Sequence, residues 1–518
     1  MHSTAVVDYI NELKTQYENQ IHKLEKNVIN YRNKYYEIKE RYDLLIYKQY
    51  MRSAEKIPAD DKQQLLFTDE TEPVEIEKEE DEERTTVSSY SRNKKGRKPI
   101  DSRIPREVTI IDIPESEKIC ACGANLTKIG EEISERLEFI PQRIYVKQIQ
   151  RFKYACRQCE GTEDEEKPVV RIAPVQPTII PRSIASSSLL SAIFTHKFED
   201  HLPYFRQEKQ FERIGVEISR QDMSNWQQHV YTKLTPLFSL LRETVKSGSV
   251  IQMDETTVQV IGEEGRKDTQ KSYMWLARGG PPLKTVVWYE YHPTRAAYHA
   301  KEFLEGYSGY LQTDGYEGYD SAVRDMPGIV HVGCFAHARR KFFEASKAVK
   351  KPGSAEQGIK HIRKLYLLED KLRVQNLCDE EFQQQRLKLA EPILQQFKSW
   401  LLKRKEEVLP STLMGTAINY SLKQWEKMTA YLESPYLTPD NNACENAIRP
   451  FVLGRKNWLF CQSPKGAKSS CGIYTLIETA RQNNLIPAHY LSALFEMAPL
   501  AISTEDWEKL LPWNIFTP

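Results

Sequence analysis

Ile10, Tyr17, Leu24, Tyr31, Ile38 and Leu45 recur every seven residues, and Ile21, Val28, Tyr35 and Tyr42 form a second sevenfold series four places on. This is the a/d spacing of a coiled coil, and the first fifty residues hold no Gly or Pro to interrupt it. A stripe of that kind needs a cover, either the globular body of its own chain or a second helix. Sustained heptads so rich in tyrosine favour the second helix, so residues 1–54 are expected to be a coiled-coil arm that drives homo-oligomerisation.

The arm cannot be the whole protein, because 518 residues suggest three or four domains at about 150 residues each. From 55 to 106 the apolar pattern gives way to charge, which reads as a flexible linker. Ten acidic residues and one lysine lie between Asp69 and Glu83, a local −9 in a chain of net charge +1, so the remainder carries +10. The near-neutral total therefore hides a basic remainder suited to a polyanion. Within the linker, the GRKP segment with Arg97 and Lys98 could lie against phosphates or simply stay solvated. No stretch approaches the ~20 apolar residues of a membrane span, and the start has no signal-peptide layout, so a cytoplasmic protein with no membrane partner is expected.

Nine cysteines, an odd number, argue against a disulfide framework and for metal binding or buried thiols. Cys120 and Cys122 close one segment of 107–175 and Cys156 and Cys159 another, with strand-like text between them. Two close pairs about a hairpin apart can supply the four thiolates of a structural Zn²⁺ site, a small zinc-ribbon-like module. Residues 176–247 then read as helical, with Gly215 between two helical runs and Ser219 opening the second. That arrangement is compatible with a DNA-binding helix-turn-helix and equally with ordinary helix packing.

Beyond Gly248 the text changes to strands: SVIQMDETTVQVI, KSYMWLARG and LKTVVWYEYH, then a helix, then GYLQTDGYEGY and GIVHVGCFAHARRKFFEA. Three meander strands followed by alternating helix and strand predict a mixed α/β sheet. Asp254 and Asp314 each follow an apolar run and are expected where strands end, so that sheet neighbours would bring both carboxylates to one edge. Paired carboxylates there suit Mg²⁺ or Mn²⁺, and holding two ions calls for a third acid. Glu445 in DNNACENAIRPFVLGRKNWLF is the best candidate, in the first turns of a helix with Asp440 and Asn441 as potential caps. Arg449 follows one turn on and Lys456 three turns on; taken singly, each acid could equally be a cap or a surface residue. Cys334 and His337 form a C-x-x-H step that is either structural or a secondary site.

Taken together, QMDETTVQV, LQTDGYEGY, GCFAHARRKF and DNNACENAIRPFVLGRKNWLF resemble the IS66-type transposase family, and the likeness extends over nearly the whole chain. The resemblance implies a multidomain α+β protein with an RNase H-like catalytic domain and a DDE triad, here Asp254, Asp314 and Glu445 on two Mg²⁺ or Mn²⁺ ions. Two departures stand out. The cysteine module opens C-x-C where the family more often has C-x-x-C, and Val452 occupies the place, seven after the Glu, where many DDE enzymes carry Lys or Arg. Arg449, Arg455 and Lys456, with Arg339 and Arg340, are the expected DNA contacts. The implied divisions are 248–343 and 435–490 for the two parts of the catalytic domain, 344–434 for a helical insertion, and 491–518 for a C-terminal tail. The implied activity is that of a nucleoid-associated DNA transposase of an insertion sequence, which binds terminal inverted repeats and cuts and joins strands, with accessory proteins of the same element as possible partners. A catalytically inactive relative acting as a DNA-binding regulator is the alternative.

Overall fold

The computed structural model describes residues 2–50, 144–155, 170–348 and 353–515, and the chain divides into two compact units, 71–175 and the rest. In the smaller unit, β1 (Lys153–Ala155) and β2 (Val170–Ile172) pair antiparallel, and Arg151 Nη1 donates to the Ala173 carbonyl at 3.0 Å. Residues 144–152 were expected to extend the first strand, yet they form no regular structure. The four candidate zinc cysteines, like Arg97 and Lys98, lie outside the described residues.

The larger unit opens with α1 (His2–Tyr50), the uninterrupted helix that the heptads require. Helices α2 (Ser187–Phe198), α3 (Tyr204–Arg213), α4 (Arg220–Lys233) and α5 (Thr235–Ser247) follow. Gly215 takes a φ of +78° between α3 and α4, a conformation that a side chain would strain. Ser219 and Asp222 then form a reciprocal capping box that starts α4. The inner face of α4 carries the buried Met223, Trp226 and Val230.

The sheet is built from β3 (Val250–Val260), β4 (Lys271–Gly279) and β5 (Val286–His292), then α6 (Ala297–Leu304), β6 (Gly309–Gln312), α7 (Glu317–Val323) and β7 (Ile329–Val332). Its order is β5-β4-β3-β6-β7, with the first three strands antiparallel and β6 and β7 parallel to β3. Helices α8 (Phe335–Lys347), α9 (Ser354–Arg373), α10 (Asp379–Glu407), α11 (Leu413–Lys423) and α12 (Trp425–Thr429) come between β7 and α13 (Asn442–Trp458). They surround a core of their own, with Phe335, Phe342, Phe397, Leu401, Ile418 and Trp425 among its members. After α13 come β8 (Phe460–Cys461), which pairs with the far end of β3, and then α14 (Pro464–Gln482), α15 (Pro487–Met497) and α16 (Thr504–Glu508).

The middle of α14 is buried without a break from Ser469 to Ala480, and it also closes the sheet edge. Thr475 and Thr479 accept hydrogen bonds from the Tyr289 and Val287 amides of β5 at 3.0 and 3.1 Å, which satisfies donors that an edge strand would otherwise leave open. The end of α1 rests on α8 and α11 through Lys48–Glu344 at 2.9 Å and through Glu40, which accepts from the Leu413 amide. Further up, the heptad stripe faces outward, with Leu24 63% and Val28 64% exposed. Among the described residues, no helix is long and apolar enough to cross a membrane.

Candidate active site

Two glutamines set the geometry of the site. Parallel pairing of β3 with β6 places Gln252 opposite Gln312 as the last pair of that ladder, and Asp254 and Asp314 each follow two residues further along the chain. Gln252 Nε2 donates to Gln312 Oε1 at 2.9 Å, Gln312 Nε2 donates to the Thr438 carbonyl at 2.6 Å, and Arg278 Nη1 donates to Gln252 Oε1 at 3.1 Å. Both amides are buried, so this ladder ties β4, β3, β6 and the approach to α13 together.

The strand-end expectation holds for Asp314 and needs correcting for Asp254. β6 stops at Gln312, and Asp314 sits in the turn beyond it, its Oδ1 accepting from the Tyr316 amide at 2.9 Å. β3 runs on through Asp254 to Val260, because its antiparallel partner β4 continues the ladder as far as Gln259. Asp254 therefore lies mid-strand, beside the gap left where β6 ends. Gly315 allows the Asp314 turn to approach the insertion: a Cβ there would lie 2.6 Å from Tyr420 Oη.

Glu445 occupies the first turn of α13. Asp440 caps that helix, its Oδ1 accepting from the Asn442 amide at 3.0 Å. Asn441 does something else: its Nδ2 donates to the Met253 carbonyl at 2.9 Å, one residue before Asp254, and its amide donates to Cys334 Sγ at 3.3 Å. With Phe335 N donating to the Pro439 carbonyl, the start of α8 and the start of α13 are held against β3.

Electrostatics show how crowded these acids are. Burial first, and then the charges of Glu445, Glu255 and Asp314, push the Asp254 carboxyl well above its ordinary value. Burial also pushes Glu445 up to about 7, with Asp440 and Asp314 adding to the rise and Arg340 and Arg449 opposing it. Oε1 of Glu445 is buried with no hydrogen bond. Buried carboxylates that feel one another's charge, opposed at Glu445 by Arg340 and Arg449, have the oxygen chemistry that a hard divalent cation prefers.

The remaining candidates divide. His337 Nδ1 lies 3.7 Å from Glu445 Oε1, and burial lowers its pKa to about 4. Arg340, half-exposed, places Nη2 3.8 Å from Glu445 Oε2. Arg339 is buried at 8% exposure, which corrects its expected place on surface phosphates, since that face of α8 is covered by the insertion core. Arg455 is turned inward too, hydrogen bonding with its Nη1 to the Thr257 carbonyl and to Thr257 Oγ1 on β3. Arg449 is half-buried and Lys456 exposed on α13. Sequence reasoning missed Gln252, Gln312 and Glu255, the last gripped by Arg295 and the Tyr319 hydroxyl, and read Asn441 as no more than a cap. A signal for the glutamines was present: each stands two places before its Asp, after a pair of apolar or aromatic residues.

Residues 182–469, which contain all three acids, match the family model described as Transposase IS66 family. The chain belongs to the IS66 transposase family. Three further models of that family match around it: the zinc-finger binding domain of transposase IS66 over 117–160, the IS66 C-terminal element over 475–513, and a model described as Transposase C of IS166 homeodomain over 37–109. The zinc-finger match contains Cys120, Cys122, Cys156 and Cys159 and is consistent with structural zinc, and DNA is the partner that these modules imply. Relatives that match over about four fifths of their length occur in Sinorhizobium fredii (strain NBRC 101917 / NGR234). The uncharacterized protein y4hP is 30% identical over 449 residues, 83% of this chain and 79% of the relative. The uncharacterized protein y4jD is 30% identical over 422 residues, 79% of this chain and 80% of the relative.

Proposed function

We propose that this IS66-family chain is an active DNA transposase that binds the terminal inverted repeats of its element, nicks their ends and joins the freed 3′-hydroxyls to target DNA. The observation that carries the reading is the nearness of Asp254, Asp314 and Glu445, whose charges act on one another: the first lies within β3, the second in the turn just beyond the neighbouring β6, and the third on a helix stapled to β3 by Asn441. The sheet order, three antiparallel strands followed by two parallel ones, supports an RNase H-like catalytic domain interrupted by the helices between β7 and α13.

Asp254, Asp314 and Glu445 would hold two Mg²⁺ or Mn²⁺ ions. When bound, such ions polarise the scissile phosphate and lower the pKa of an attacking water or hydroxyl. The chain's own residues do the rest. The glutamine ladder and Asn441 fix where the carboxylates stand before DNA arrives, so little reorganisation is left for the reaction. Arg340, beside Glu445 and half-exposed, is placed to meet a backbone phosphate, and Lys456 offers a second cation further along α13. The outward heptad stripe of α1 supports a homo-oligomer, which would let two ends be cut in one complex. Four thiolates of the cysteine module would hold one structural Zn²⁺.

The test is Asp314→Asn, with Asp254→Asn and Glu445→Gln alongside it. Each should abolish nicking and joining while the protein still shifts terminal-repeat DNA at matched salt. Undiminished cutting by Asp314→Asn would refute the assignment. An unmutated protein that binds the ends and never nicks them, with Mg²⁺ or Mn²⁺ and the element's other proteins supplied, would make the regulator the better reading.

A further inference from the structure

Beside the triad lies a second donor set of different chemistry. Cys334, His337 and Glu445 bring one sulfur, one nitrogen and one oxygen atom within 4.8 Å of one another. Cys334 is the N-cap of α8 and His337 stands one turn on, so the C-x-x-H step presents both side chains on the same side of the helix start. The facing carboxylate comes from α13, 108 residues beyond His337, and so is brought to the pair by tertiary packing. His337 Nδ1 and Glu445 Oε1 are both buried, neither makes a hydrogen bond, and they stand 3.7 Å apart. Two such donors on a tetrahedral zinc ion, each about 2.05 Å from it, would be about 3.3 Å apart, so a small side-chain adjustment closes the site. Cys334 Sγ is buried and faces the backbone amides of Asn441 and His337, donors that stabilise a thiolate and leave a sulfur lone pair for a metal.

Asp254 and Asp314 offer oxygen alone and suit a hard cation. A thiolate, an imidazole and one carboxylate suit a borderline ion, with a fourth position left to water. We propose that Cys334, His337 and Glu445 form a Zn²⁺ site that competes with the catalytic ions for Glu445, so that zinc switches the transposase off. The binding stands on these three residues, whereas the inhibition rests on the reading of Glu445 as a member of the triad. Coordination exchanges the Cys334 thiol proton for the metal and releases that proton to solvent. Mg²⁺, which prefers oxygen donors, gains nothing from the sulfur and nitrogen and would reclaim Glu445 only as zinc is withdrawn or outcompeted.

The experiment uses the full chain with its cysteine module loaded with zinc, titrated with Co²⁺ as the spectroscopic probe. One further equivalent should bind and give both tetrahedral visible bands and a thiolate charge-transfer band in the near ultraviolet; Co²⁺ on carboxylates alone gives no such thiolate band. Cys334→Ser should abolish the thiolate band, while Cys378→Ser, which alters an exposed cysteine elsewhere, should keep it. His337→Ala should weaken the added Co²⁺ by more than the ~10–100-fold that loss of an outer partner costs. Circular dichroism and melting of each variant separate loss of the site from loss of the fold. In a nicking assay with Mg²⁺, added Zn²⁺ should lower the rate, and excess Mg²⁺ should restore it. A further equivalent without a thiolate band, or a band that survives Cys334→Ser, overturns the site. Zinc that binds there and leaves nicking unchanged overturns the competition. A chain that never nicks defeats the triad reading, and the Co²⁺ spectrum still decides the site.

Discussion

Replacing Gln312 with leucine tests whether the buried amide ladder sets the register on which the site depends. Gln312 has no exposed surface, and its amide serves two partners, donating to the Thr438 carbonyl at 2.6 Å and accepting from Gln252 Nε2 at 2.9 Å. Leucine nearly matches its volume, so the perturbation is the loss of hydrogen bonds and not the opening of a cavity. It strands the buried Gln252 N–H donor and the part-buried Thr438 carbonyl, at about 1–3 kcal/mol for the first and less for the second, for roughly 2–5 kcal/mol in all. The measurement is native-state amide exchange across β3 and β6, since a whole-chain melt would mix several domains. With a factor of ten for each ~1.4 kcal/mol, protection of the Val250–Gln252 and Gly309–Gln312 amides should fall roughly 30-fold to several thousand-fold, while α14 keeps its own. The double variant Gln252→Leu/Gln312→Leu should cost less than the sum of its singles by about 1 kcal/mol or more, because removing both amides strands fewer partners. Protection unchanged within about twofold in Gln312→Leu would mean that backbone pairing alone holds the register and the ladder is incidental.

Glu478 carries a pH signature: burial, against the opposing Arg481, raises its carboxyl to about 7, so the folded state holds a proton that the unfolded state releases near 4.5. Stability should therefore fall by roughly 3 kcal/mol between those values and then level off, and Glu478→Gln should flatten that decline and be the more stable form at pH 8, as native-state amide exchange of α14 across pH will read. Leu24→Lys with Val28→Lys puts two charges into the outward stripe of α1, and light scattering should then report a smaller assembly; an unchanged mass would show that the stripe makes no self-contact. Metal analysis of the purified chain should find one zinc for the cysteine module, lost on Cys156→Ser, and a value near zero in a folded sample refutes a structural zinc site there.

Much of the site could be read along the chain, and its assembly could not. Asp254, Asp314 and Glu445 announce themselves as acids set in apolar or helix-starting text, but nothing in their spacing says that β6 lies beside β3 with Gln312 opposite Gln252. Charge was a poorer guide than position. Arg339 and Arg340 are neighbours in sequence, yet one is buried and the other half-exposed, because successive residues on a helix point about 100° apart and only one faces the insertion core. Asn441 looked like a helix cap and instead joins α13 to β3, while Asp440 caps in its place.

Local regularities are set by the sequence alone. Seven-residue periodicity without Gly or Pro made α1 a helix, β-forming runs bounded by turn residues made β3 to β5 strands, and Gly215 followed by Ser219 ended one helix and began the next. Each depends on the backbone and on side chains a few residues apart, so a short window contains its cause. Tertiary structure decided where Asp254 falls on its strand, because the neighbour that ends and the neighbour that continues lie on opposite edges of β3. It also decided that Cys334 and His337 meet Glu445 and which arginines reach water. Those outcomes depend on contacts between segments sixty to more than a hundred residues apart, whose free energy comes from burying whole faces together. No local pattern records which faces will meet.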